Sequence, residues 1–208
     1  MNQRLVWNFE FAPKTSSLPE EFLVKKETEE LKWEIRFFWP NDEAIVLNAI
    51  DNSLLDLANY HQKHRDDYYY LLPNRNYNIK RRRHELLYKP LLKKSELALG
   101  FDAKINIDYQ TEPPKTIPHQ DPVVQEIVQR VGTEGVEAYV RKEAFIYKFP
   151  THPTIKLELA RLEVHNKVYF SACVEGKALE LVENIAEHLL GKHISCEYVT
   201  FLKNILHL

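Results

Sequence analysis

Residues 31–39 alternate: Leu31, Trp33, Ile35, Phe37 and Trp39 are apolar, with Lys32, Glu34 and Arg36 between them. A period of two marks a strand with one face against a core. Pro40-Asn41-Asp42 ends it, and Asp42 predicts a capped helix over about 43–62 with Ile45, Ala49, Leu54, Leu55 and Leu57 as its apolar positions. An aromatic strand follows over 66–72, stopped by Pro73-Asn74, and then a basic strand and its partner over 77–92. Three long strand-like runs occupy 137–149, 154–164 and 167–175, the last two joined by a tight turn at His165-Asn166. Helices are expected from Asp121-Pro122 onward, with Val124, Ile127, Val128 and Val131 on one face, over 179–190 up to Gly191, and over 196–206. Residues 4–11 alternate in part and suggest one more strand, while 13–20 and the proline-rich 111–121 read as loops. The pattern amounts to about eight mostly antiparallel strands with helices between them, an α+β chain.

Charges recur at alternate strand positions, and both signs share the polar faces. Either these faces meet solvent, or the sheet closes into a barrel whose interior is charged and wet. The run from Asn78 to Lys89 sharpens the choice. Lys80 and Arg82 point to one face of a strand, and Lys89 returns on its neighbour. Cations converging on one face repel one another and favour an anion between them. Phosphate suits the place, because it accepts several charge-assisted hydrogen bonds at once. A solvated basic run or a small nucleic-acid patch would show the same residues.

Composition narrows the classes. The 208 residues carry a net charge of −2, so an anion site must be a local concentration of cations and a broad nucleic-acid surface is not expected. With 5 glycines and neither GxGxxG nor GxxxxGK[ST], a dinucleotide fold or a P-loop is excluded at sequence level. Two cysteines, Cys173 and Cys196, are too few for a disulfide framework or a Cys-rich zinc site, and Cys173 reads as a small buried hydrophobe. His61 and His64 lack a third ligand at a recognisable distance. No apolar run approaches the roughly 18 residues of a membrane span, so the expectation is a cytoplasmic protein without membrane contact.

The order of short motifs carries further. Glu34-Ile35-Arg36, then Asp67-Tyr68-Tyr69 ahead of Lys80 and Arg82, Lys89 on the paired strand, Leu157-Glu158-Leu159, and Val174-Glu175 before a helix resemble the CYTH superfamily, the triphosphate tunnel metalloenzymes. The resemblance implies an α+β fold: an antiparallel eight-stranded β-barrel, or tunnel, with helices packed outside. It implies one domain over 1–208, with a core at about 30–190, an N-terminal extension over 1–28 and a C-terminal helix over 192–208. Arg36, Lys80, Arg82, Lys89 and Lys142 would grip phosphates, and Glu34, Glu158 and Glu175 would hold Mg²⁺ or Mn²⁺. The implied activity is metal-dependent phosphohydrolysis of triphosphates or related organic phosphates.

Two departures stand out. The family's first strand usually reads Glu-x-Glu-x-Lys, where this chain has Lys32, Glu34 and Arg36, and its last strand often carries Glu-x-Glu, where this chain has Cys173-Val174-Glu175. Fewer carboxylates imply a weak, ligand-dependent metal. They also open a second expectation, the same barrel binding phosphate or polyphosphate with little or no turnover; basic and aromatic residues together suggest a third, binding or processing of an RNA 5′ end. On residue chemistry alone, Glu34 equally balances Lys32 and Arg36, Glu158 and Glu175 equally face solvent, and Tyr68, Tyr69 and Tyr70 read as packing residues. Lys142 and Lys148 share one parity and Arg141 and Glu143 the other, leaving the inward set there open.

Overall fold

The computed structural model describes residues 2–12, 20–107, 122–191 and 195–208. The expected loop over 111–121, the capping Asp121 and most of the loop over 13–20 lie outside them. In chain order the elements are β1 (Gln3–Val6), β2 (Phe9–Ala12), α1 (Glu20–Leu23), β3 (Lys32–Pro40), β4 (Ile45–Asn48), β5 (His61–Leu71), β6 (Asn78–Arg82), β7 (Glu85–Lys89), β8 (Leu91–Lys94), β9 (Leu99–Phe101), β10 (Ile105–Asn106), α2 (Pro122–Glu134), β11 (Val136–Lys148), β12 (Lys156–Val164), β13 (Lys167–Gly176), α3 (Leu179–Leu190) and α4 (Tyr198–Leu206).

Ten of these strands form one sheet in the order β10-β7-β6-β5-β11-β12-β13-β3-β9-β8. Its edges are not independent. Only Pro90 separates β7 from β8, and β9 runs on into β10 after Asp102–Lys104. β8 pairs with β9 while β7 pairs with β10, so these four segments are one long hairpin whose two strands are each bent in the middle. β9 also pairs with β3, and β7 with β6. Counting each bent pair as one strand gives eight antiparallel strands whose pairing returns on itself, a closed barrel. Proline suits the bend because it has no N–H to give to the ladder.

The outward face is a conventional core. Trp33, Ile35 and Phe37 of β3, Leu157 and Leu159 of β12 and Val174 of β13 pack with Leu181, Val182, Ile185 and Leu189 of α3. The residues before β3 join the same core. β1, β2 and β4 form a separate three-stranded sheet, and Phe9, Phe11, Ile45 and Leu47 from it are buried there. On the other side α2 lays Val124 and Ile127 against Ile79 and Leu86. The turn at His165-Asn166 has both residues at positive φ, 47° and 63°, as a two-residue hairpin with right-handed twist requires.

The helix expected over 43–62 does not form. Ile45 and Leu47 are buried while Val46 and Asn48 are exposed, so this stretch is a period-two strand, β4, parallel to β2. Asp51 and Asp56 then each accept a hydrogen bond from the backbone two residues on, Ser53 N at 2.6 Å and Ala58 N at 2.9 Å. Such short side chains stabilise turns in competition with a helix. The aromatic strand accordingly begins earlier, at His61.

α2 and α3 lie outside the barrel as expected, but α4 does not. Tyr198, Val199, Phe201 and Leu202 are buried against Ala138, Val140, Ala144, Ala160 and Leu162, all on the inward face. Alanines at these positions leave room for a helix inside one end. Phe201 stacks on Phe38, with ring centroids 3.9 Å apart, and Tyr198 on Tyr69 at 5.0 Å. Lys203 fastens the helix to the turn after β5, donating to Arg75 O at 2.8 Å and Asn76 Oδ1 at 2.9 Å. Among the described residues no helix is long and apolar enough to cross a membrane.

Phe201→Ala is expected to destabilise the fold by about 3 kcal/mol, because it empties the contact between plug and barrel wall. Urea denaturation checks this: the midpoint should fall at nearly unchanged slope.

Candidate functional site

Alternation decides what enters the barrel. Inward positions are Lys32, Glu34 and Arg36 on β3, Lys63, Arg65 and Asp67 on β5, Lys80 and Arg82 on β6, and Lys89 on β7. Lys142 and Lys148 of β11, Lys156 and Glu158 of β12, and Cys173 and Glu175 of β13 complete the set. All of them except Asp67 and Cys173 line a cavity of about 610 Å³ that Tyr198 of the plug helix also lines. Twelve Lys or Arg residues line it against five Asp or Glu, a surplus of seven positive charges in a chain of net charge −2.

All eight residues that the family resemblance singled out line this one cavity: Arg36, Lys80, Arg82, Lys89, Lys142, Glu34, Glu158 and Glu175. The open question on β11 resolves to Lys142 and Lys148, while Arg141 lies outside beside Asp66 and Glu143 beside His64. Tyr69 is buried against the plug and Tyr68 stays exposed beside Tyr139. Sequence reasoning gave no role to Asp67, Lys63, Arg65, Lys104, Lys156, Lys177 or Tyr198. The alternation of Lys63, Arg65 and Asp67 was the available signal, hidden by the helix expected up to residue 62.

Each inner carboxylate is held by cations. Arg82 donates from Nε and Nη2 to the two oxygens of Asp67, both at 2.6 Å, and Lys80 adds a contact at 3.0 Å. Glu158 accepts from Arg36 at 3.0 Å and from Lys142 at 3.0 Å on both oxygens. Glu34 accepts from Lys89, and Glu175 pairs with Lys32 at 2.6 Å. Arg36 also reaches Ser171 Oγ at 3.3 Å and lies over the Tyr198 ring.

Protonation follows from these contacts. Burial alone would raise the Glu34 carboxyl, but Lys89, Arg36 and Lys32 overcome it and hold it at about 2. Asp67 is likewise held at about 2, against burial, by the Arg82 hydrogen bonds and by Lys80. Lys80 shares that one carboxylate with Arg82. Burial, with Arg82 and Lys142 near, pulls its ammonium well down despite Asp67. Burial pushes the Cys173 thiol up, so it is no nucleophile.

A divalent ion has one candidate place among the described residues. Ligand atoms of Glu34, Cys173 and Glu175 lie within 4.8 Å of one another, and Glu158 is not in that group. Mg²⁺ asks for oxygen ligands and free carboxylates. Here the thiol is protonated and both carboxylates are taken, with Lys32 Nζ 2.6 Å from Glu175 and 3.9 Å from Glu34. As they stand, these side chains do not fit a resident divalent ion.

No family model matches the chain, and no curated protein does. Among solved structures, a Bacillus halodurans chain described as a "putative adenylate cyclase" aligns over 79% of this chain and 93% of its own, at 8% identity and a TM-score of 0.39. A likeness this distant carries no inference about chemistry.

Removing the shared carboxylate should be costly. Asp67→Asn leaves Lys80 and Arg82 buried without a counter-ion and is expected to destabilise by about 3 kcal/mol. Carboxylates held at about 2 in the fold titrate near 4 when unfolded. Their contribution is therefore complete above about pH 4 and disappears as the pH falls towards 2. Denaturant melts across that range should show a stability loss in the wild type that is smaller in Asp67→Asn.

Proposed function

We propose that the barrel binds a small molecule carrying a chain of phosphates, of the triphosphate class, and that binding rather than fast turnover is its function. The observation that carries this reading is a ring of uncompensated charge. Lys63, Arg65, Lys104, Lys148, Lys156 and Lys177 line the cavity and have no ion-pair partner among the described residues. Each inner cation contacts a carboxylate, some sharing one; these contact none. Partial desolvation, then repulsion from Arg82, Lys89, Lys32 and Arg65, lowers the Lys104 ammonium to about 8. Lys63 is lowered too, by desolvation and then by Arg65 and Lys156. Crowding of this kind opposes folding, and an anion that bridges several of the cations relieves it.

The dimensions agree with a phosphate chain. A cavity of about 610 Å³ is of ordinary ligand size. A lone phosphate could meet only part of the ring, whereas a linear polyanion can lie along it. The cations face inward, which favours a small molecule over an extended RNA surface.

Phosphohydrolysis, with Mg²⁺ or Mn²⁺ arriving with the phosphates, is the second reading. Its support is the full set of inward cations that would neutralise phosphate oxygens. Weighing against it, Glu34, Glu158 and Glu175 are each engaged by a Lys or Arg, so holding a metal or orienting a water requires breaking an ion pair.

Inorganic triphosphate should raise the melting temperature. At a hundredfold excess over Kd the gain is about 2.7 kcal/mol, and orthophosphate at equal concentration should give far less. Lys63→Ala with Arg65→Ala should lose most of the gain; an equal shift in variant and wild type would sink the reading. A bound anion favours charged Lys104, so affinity should weaken as the pH rises through about 8. Phosphate release measured with Mg²⁺, Mn²⁺ or chelator separates the two readings: rapid metal-dependent release would establish the hydrolase.

A further inference from the structure

We infer that the Lys32 ammonium is the resident cation of this cavity, standing where a bridging metal ion would stand, and that the anion site works without a divalent metal. The inference takes its ligand from the anion-binding reading above, but its geometry is independent of it. Glu34 and Glu175 are directly opposed across β3 and β13, and Cys173 is the next inward residue on β13. Two carboxylates this close need a cation between them, because like charges directly opposed on a sheet repel.

Side chains of the chain itself supply it. Lys32 lies two residues before Glu34 on the same face of β3, and its Nζ contacts Glu175 at 2.6 Å and lies 3.9 Å from Glu34. Lys89 takes the far side of Glu34. Two ammonium groups thus balance two carboxylates, the charge a single divalent ion would have brought. An incoming metal ion would have to displace the Lys32 ammonium and then sit in a cavity where Lys and Arg already outnumber Asp and Glu. Lys32 also lines that cavity, beside the cations that contact no carboxylate.

The effect is a division of labour by charge number. An ammonium is monovalent, strongly hydrated and tied to the backbone. It neutralises the carboxylates permanently and demands no ion from solution. The site's readiness for phosphate then does not depend on metal supply.

The test titrates chelator-stripped wild type, Lys32→Met and Lys32→Glu with Mn²⁺ alone, read by calorimetry and by melting temperature. Wild type should show no saturable binding and no Mn²⁺-dependent stabilisation. Lys32→Glu, which frees the position and adds a carboxylate, should bind Mn²⁺ at least roughly tenfold more tightly than wild type and melt higher with it. Lys32→Met should fall between them. Wild type should bind inorganic triphosphate within about twofold equally in chelator and in Mg²⁺, a difference under 0.5 kcal/mol. Saturable Mn²⁺ binding by wild type, or no gain in the variants, overturns the inference, as does triphosphate binding that chelator abolishes. If triphosphate binds under neither condition, the anion-binding reading fails while the Mn²⁺ titrations still decide the role of Lys32. Should the variants not fold, the wild-type Mn²⁺ titration alone decides, and a saturable isotherm overturns the proposal.

Discussion

A strand has two faces, and a closed ring of strands must put one of them inside. In this chain the inside face is charged, and the fold depends on how that charge is balanced. Asp67 holds Lys80 and Arg82, Glu158 holds Arg36 and Lys142, and Glu34 and Glu175 share Lys89 and Lys32. Moving such groups out of water is costly, and their mutual attraction repays the cost only when the geometry is good and the remaining hydrogen bonds are made. None of these contacts is longer than 3.0 Å, and several are bidentate or doubled. Replacement by apolar residues would serve stability as well. Retaining ions here is better explained by what the cavity does than by what the barrel needs.

Pairing is incomplete around the cavity. Lys32, Arg36, Lys80, Arg82, Lys89 and Lys142 each contact a carboxylate, whereas Lys63, Arg65, Lys104, Lys148, Lys156 and Lys177 have no ion-pair partner among the described residues. The compensated group sets the shape of the cavity, and the uncompensated group leaves a need for anions. Phosphate-bearing ligands meet that need by multiple charge-assisted contacts. Compensation inside also explains why the carboxylates expected to hold metal are poorly disposed for it: the cations that stabilise them compete with any ion that arrives.

The plug makes the cavity one-ended. α4 enters a space lined by Ala138, Ala144 and Ala160, and its Tyr198 closes the cavity floor beneath Arg36. Outside, α3 and the small sheet of β1, β2 and β4 cover the apolar faces of β3, β12 and β13. Those residues are then shielded from water, while the charged side chains of β3 and Glu175 of β13 point inward. The segments flanking the barrel, which showed no clear role in the sequence, thus cover its apolar outer face and fill one part of its interior.

Much of this was legible from residue order. The alternation over Leu31–Trp39 and the three strand-like runs late in the chain identified a sheet with a polar face, and Gly191 and the His165-Asn166 turn were read correctly from local chemistry alone. The grouping of Arg36, Lys80, Arg82 and Lys89 followed from parity together with the family resemblance. What local pattern could not decide was closure and pairing. Ile45 and Leu47 fit a helix or a strand equally until β2 is present to pair with β4, and the final helix is amphipathic whether it lies outside a barrel or within one. Which carboxylate meets which cation depends on register between strands distant in sequence: Glu175 faces Glu34 across 141 positions. Alternation along the chain therefore determined which side chains share a face. Only the closed ring decided that this face is an interior, that a helix stops one end of it, and that Lys32 stands between Glu34 and Glu175, because each of these is set by long-range pairing that no single segment encodes.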